Sequence, residues 1–180
     1  MGTPALYGGQ PVRRPKLLFA MGAPVGGDTL TNPTAKTAFA TTYTLHANSL
    51  QVGDVLDIEF RVFFDFTAAT NFTWELAIGA TVLSVAMTGT CGADTNMLLR
   101  FVARVVSIGA AGSINIELQA ISSLSGAAPF RGQAAPSHSL ALAQDTTVAN
   151  IISLSVTNSV SNASNTDQMY YFTVTHLPAS

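Results

Sequence analysis

The chain has one cysteine, Cys91, and little charge: Asp, Glu, Lys and Arg make up 10% of its 180 residues, against roughly 25% in an average soluble domain. A lone cysteine rules out an intrachain disulfide and any cysteine-cluster metal site. Eight basic residues face ten acidic ones, so the chain lacks the basic excess that marks a nucleic-acid binder. It also lacks a long apolar run. The 48% hydrophobic content and mean hydropathy of +0.35 raise the question of a membrane span. Yet the longest apolar stretches, residues 17–24 and 97–106, are too short or are interrupted by Arg100 and Arg104, and a spanning helix needs about 20 apolar residues. No membrane partner is expected. Arg13, Arg14 and Lys16 ahead of residues 17–23 have the outline of a signal peptide, but Pro24 and Gly26-Gly27 cut the apolar run short. Gly2 is followed at position 6 by Leu6 rather than Ser or Thr, against myristoylation. Asn71-Phe72-Thr73 and Asn162-Ala163-Ser164 fit the glycosylation sequon, which matters only in a eukaryotic secretory setting.

What the chain has is alternation. Its length suits one domain with appendages. Residues 1–35 carry Pro4, Pro11, Pro15, Pro24 and Pro33 with two Gly-Gly pairs, a composition that excludes a helix or a paired central strand and predicts an extended N-terminal arm. Over residues 36–180 the period becomes two, the spacing that puts side chains on one face of a strand. Leu56, Ile58, Phe60, Val62, Phe64 and Phe66 alternate with Asp57, Glu59, Arg61 and Asp65. Similar runs occupy residues 72–78, 99–105, 114–119, 148–157 and 170–175, with shorter strands expected at 39–45, 81–87 and 139–143. Turn-rich pieces separate them, at 52–54, 88–94, 109–112, 122–136 and 158–167. No stretch sustains a helical period, so the fold class is all-β, an antiparallel β-sandwich. The core is expected on the even-numbered face of 56–66, against Trp74, Phe101 and Leu154.

Residue types that carry chemistry are sparse. His46, His138 and His176 stand in no recognisable catalytic setting and read as surface or interface residues. No His or Cys spacing suits zinc. Asp57, Glu59 and Asp65 could cluster as glycosidase carboxylates, but the outer face of a strand paired with Arg61, Arg100 and Arg104 accounts for them better. Gly109-Ala110-Ala111-Gly112 lacks the Lys-Ser/Thr of a phosphate loop, and Cys91 has no flanking base. The chain is therefore expected to be no enzyme and to need no cofactor or metal.

The run from Thr42 through Ala47-Asn48-Ser49-Leu50 and Gly53-Asp54 to Leu56 resembles a module of tailed-phage virion proteins, in which a strand, a short corner and a long alternating strand follow one another. The likeness continues through Ile78-Gly79-Ala80-Thr81, Arg100 and Arg104, and an Asp-Thr-Thr…Ile strand over residues 145–152, and it covers about residues 37–178. His46 stands where the module usually has proline. The resemblance implies a jelly-roll-like head of the kind found in capsid decoration or cement proteins, head fibres and tail fibres, and it implies a homotrimer. Function is accordingly expected to be structural, on the capsid surface of a virion. The arm would dock on the major capsid protein or another virion protein through Leu6, Tyr7, Arg13, Arg14, Lys16, Leu17, Leu18 and Phe19, and its removal would leave a folded sandwich. Nominally outward Val102, Val106, Ile151 and Tyr171 would form the oligomer interface. Three basic residues in the arm are few for binding a genome, which argues against a nucleic-acid partner and a small icosahedral coat protein. A receptor-binding fibre tip, using loops 88–94 or 122–136, is the alternative.

Overall fold

Alternation becomes strand throughout the computed structural model, which describes residues 6–7, 10–11, 14–21, 28–65, 72–87, 95–124 and 137–179. Two short strands, β1 (Leu6–Tyr7) and β2 (Gln10–Pro11), pair with each other. The other twelve form two antiparallel sheets. They are β3 (Lys16–Ala20), β4 (Asp28–Thr31), β5 (Thr37–Ala38), β6 (Tyr43–Leu45), β7 (Val55–Asp65), β8 (Phe72–Ile78), β9 (Thr81–Met87), β10 (Thr95–Ser107), β11 (Ser113–Leu124), β12 (Ser137–Ala143), β13 (Asn150–Asn158) and β14 (Thr166–Leu177). The large sheet runs β12-β11-β10-β7-β14-β3, with β4 also on β14, and the small sheet runs β5-β13-β8-β9, with β6 also on β13.

This order has a recognisable logic. Let β3 with β4 count as a first strand and β5 with β6 as a second, and set aside β11 and β12, which widen the large sheet. Eight strands then run 1-8-3-6 in one sheet and 2-7-4-5 in the other. All but one successive pair cross between sheets, the double Greek-key alternation of a jelly roll.

The core lies between the sheets, and period two decides its membership. On β7, Leu56, Ile58, Phe60, Val62 and Phe64 are buried while Arg61 and Asp65 are exposed. Phe64 meets Trp74 of the small sheet at 5.6 Å between ring centroids, and Phe60 stacks on Phe172 at 4.4 Å. Leu99, Phe101, Leu154 and Val156 complete the interior.

Two expectations need correction. The segment 1–35 is not a free arm from Lys16 onward, because β3 and β4 both pair antiparallel with β14 and form an edge of the large sheet. Proline tolerates this placement because an edge strand has one unpaired side, and Pro15 and Pro33 fall just outside the strands. Phe19 packs on Phe172 at 4.9 Å and on Tyr43 at 5.5 Å, and Leu18 and Met21 rest against the core. The second correction concerns parity. A bulge between Met169 and Tyr171 switches the inward set of β14 from Asp167 and Met169 to Phe172 and Val174, which leaves Tyr170 off the core face. Val148, expected on a buried face, is exposed and precedes β13.

Candidate functional site

The corner entering β7 is held by short-range chemistry. Asn48 adopts φ 55°, a left-handed conformation that asparagine tolerates, and the Ser49 hydroxyl donates to the His46 carbonyl at 2.6 Å. Gly53, at φ 87°, turns the chain into Asp54, and a Cβ on Gly53 would sit 3.1 Å from the Ala179 Cβ. Asp54 is fully buried. Its Oδ1 accepts the Ala179 N–H at 2.8 Å, while its Oδ2 accepts the Gln51 N–H at 2.9 Å and bonds His176 Nε2 at 2.7 Å. Burial alone would raise the Asp54 pKa, but the bonds from Ala179, Gln51 and His176 outweigh it and hold the carboxyl below the ordinary carboxylate range. Asp54 is therefore ionised, and Nε2 of His176 carries the proton between them. One side chain thus ties the corner to the C-terminal strand.

Other turns converge on the same end of the sandwich. The Asn48 N–H reaches the Thr146 carbonyl at 2.8 Å, and the Gly109 N–H reaches the Thr146 hydroxyl at 2.8 Å. Asp145 Oδ1 accepts the Thr147 hydroxyl at 2.6 Å and the Thr147 N–H at 2.8 Å, which lowers the pKa of Asp145. The Gly79 N–H donates to the Ile151 carbonyl at 2.8 Å. Three of the four stretches that carry the tailed-phage resemblance, around Asn48 to Asp54, Gly79 and Asp145 to Ile152, are therefore turn-builders gathered at one end, while Arg100 and Arg104 lie within β10.

Beside this corner, between β3, β6 and β14, lies a cleft of about 390 Å³. Leu18, Leu45 and Leu50 line one part of it, together with the ring of Tyr43. Its polar lining is Lys16, His46, Ser49 and His176. Lys16 and His176 are opposite one another in the β3–β14 register. The Tyr43 hydroxyl has a raised pKa because it is desolvated. His46 is exposed, as expected, but His176 is not a plain surface residue: its side chain is 14% exposed and held by Asp54. Sequence reasoning missed the Asp54–His176 pair because 122 positions separate them. The signal was present in Gly53-Asp54, read only as a turn.

The sites expected from the sequence are not brought together. In the supposed docking arm, Arg14, Lys16 and Leu17 are exposed whereas Leu18 and Phe19 are half-buried in the sandwich. Arg13 lies outside the described residues, as do the side chains of Leu6 and Tyr7. Val102, Val106 and Tyr171 belong to the large sheet, where Val102 sits in register between Asp57 and Glu117 and Tyr171 lies beneath Arg61, 5.1 Å from its ring centroid. Ile151 projects from the small sheet, 53% exposed. These four do not form one patch. The expected cross-strand ion pairs are present in Arg100, which grips Asp57 through Nε at 2.8 Å and Nη2 at 2.6 Å and lies 3.8 Å from Glu59. Phe66, Cys91, Phe130, loop 88–94, residues 125–136 and the side chain of His138 lie outside the described residues. Among the described residues no group of three or more His, Cys, Asp or Glu side chains is arranged to hold a metal. No protein-family model matches the chain, and no curated protein matches it.

Proposed function

We propose that the chain is a structural protein of a virus particle, a jelly-roll-like head that decorates and cements the capsid lattice of a tailed phage. The observation that carries this reading is the role of the residues behind the resemblance: Asn48, Gly53, Asp54, Gly79 and Asp145 build one end of the sandwich rather than a reaction centre. The strand order agrees with such heads. Anchoring falls to residues 1–15 together with the exposed Leu17, since β3 and β4 belong to the fold.

Assembly is a homotrimer in this reading. A closed ring uses two different patches on each copy, which suits apolar side chains on two sheets, Val102 and Val106 on one and Ile151 on the other. The fibre-tip alternative draws support from the cleft beside Lys16 and His176. Copy number in purified particles decides between them: hundreds of copies are expected for a decoration protein, and a handful would overturn that assignment in favour of a tip. Native mass should be three times that of the chain, and a stable monomer at micromolar concentration would remove the trimer.

A further inference from the structure

We propose that the cleft between β3, β6 and β14 binds a small organic carboxylate, the acid group facing Lys16, His46 and His176 and the body of the ligand resting on the leucines and Tyr43. This goes beyond the structural role above and does not depend on it. The argument starts from charge. Asp54, the acid bonded to His176 behind the cleft, is 0% exposed and its oxygens are engaged by Gln51, Ala179 and His176, so it presents no anionic surface to a visitor. The ionisable side chains lining the cleft are then Lys16, His46 and His176, all bases, and the phenol of Tyr43.

His176 is also pre-set. Asp54 holds Nε2, which leaves Nδ1 as the polar atom His176 can offer to the cleft. The hydroxyl of Ser49 is donated to the His46 carbonyl, so its oxygen remains an acceptor for a ligand hydroxyl or ammonium. Size and lining agree: about 390 Å³ falls within the roughly 300–1,000 Å³ of small-molecule sites, and an apolar wall with a few convergent polar groups is their usual make-up.

The test is titration of the full chain with benzoate and with N-acetylneuraminate, followed through the ring resonances of His46 and His176. Benzamide and N-acetylglucosamine serve as neutral counterparts. Saturable binding of either acid is expected, about tenfold tighter than its neutral counterpart, as loss of a charge-assisted contact implies. Binding of benzoate alone would assign an apolar body, and binding of the sugar acid alone would assign a glycan. Lys16→Met and His46→Asn, both at exposed positions, should each weaken binding by about three- to tenfold with the fold intact by circular dichroism. Arg61→Met, on the outer face of the large sheet, should leave it unchanged. Failure of both acids to saturate, equal binding of acid and neutral partner, or a Lys16→Met/His46→Asn double variant with undiminished affinity each overturns the proposal.

Discussion

Asp167 should make the protein lose stability as the solution becomes neutral, the reverse of the usual carboxylate behaviour. Its side chain is fully buried, facing Phe64 and Leu30 in register, with one bond from Asn158 Nδ2 at 2.8 Å and no partner for Oδ1. Burial, only partly offset by Asn158, raises its pKa from 3.8 to about 7. Between those values the folded chain holds a proton that the unfolded chain has released. Folded protein binding more protons means that stability falls as pH rises, by up to about 1.4 kcal/mol per pH unit and roughly 4 kcal/mol across the window. Asp54 works in the opposite sense. Its lowered pKa contributes stability above the ordinary carboxylate range, and that contribution is lost as pH falls through its folded value. The two acids together place the optimum well into the acid range, near the ordinary carboxylate pKa of about 4. Asp167→Asn keeps an oxygen for Asn158 and cannot ionise, so it should flatten the fall between about pH 4.5 and 8 and leave the variant the more stable protein at the upper end. Urea midpoints for both proteins across that range provide the assay. Parallel curves, with no gain for the variant at high pH, would refute the reasoning.

Other expectations concern the core and the corner. Trp74→Ala should cost about 3–5 kcal/mol in urea unfolding, whereas Glu59→Ala, at a partly exposed outer position, should cost less than about 1 kcal/mol. Asp54→Ala leaves the Gln51 and Ala179 N–H groups and His176 without their shared acceptor, and a loss of about 2–4 kcal/mol with fraying of residues 176–179 in hydrogen exchange is expected.

How far the sequence speaks depends on whether the informative contact is local. Residues 55–65 were legible because burial alternates with chain position, and β8 and β9 were legible down to their ends because Gly79-Ala80 marks the turn between them. The edge strands were not. Proline reads as a breaker whatever its position, and nothing local says that Lys16–Ala20 lies beside a strand some 155 residues later, where it pairs with Thr173 to His176. The bulge at Tyr170 is equally silent, since Tyr170, Phe172 and Val174 keep a perfect period of two that the backbone does not follow. The partners of Asp167 and His176 are silent for a related reason: both residues fall on inward positions of β14, and Asn158 at the end of β13 and Asp54 in the turn before β7 are brought to them by the whole fold.

Truncation separates the two roles of the N-terminal segment. If residues 1–35 were an arm, removing residues 1–30 would leave a folded sandwich. The pairing of β3 and β4 with β14 says otherwise. Removing residues 1–13 takes away the β1–β2 pair but nothing from the two sheets of the sandwich, and should leave unfolding unchanged within about 0.5 kcal/mol, as expected away from core features. Removing residues 1–21 deletes Leu18, Phe19 and Met21, which pack on the core. Full burial of such side chains contributes roughly 1.5–3 kcal/mol each, so half-buried ones sum to about 3–4 kcal/mol before the lost edge hydrogen bonds. Against a total of about 5–15 kcal/mol for an ordinary domain, that deletion should bring the chain close to unfolding and expose the Phe172 ring to solvent. In the same series, the shorter truncation should stay folded yet fail to attach to purified particles if residues 1–13 provide the anchor. A 1–21 deletion as stable as the intact chain would dissolve the edge-strand assignment, and a 1–13 deletion that still decorates particles would move the anchoring surface onto the sandwich itself.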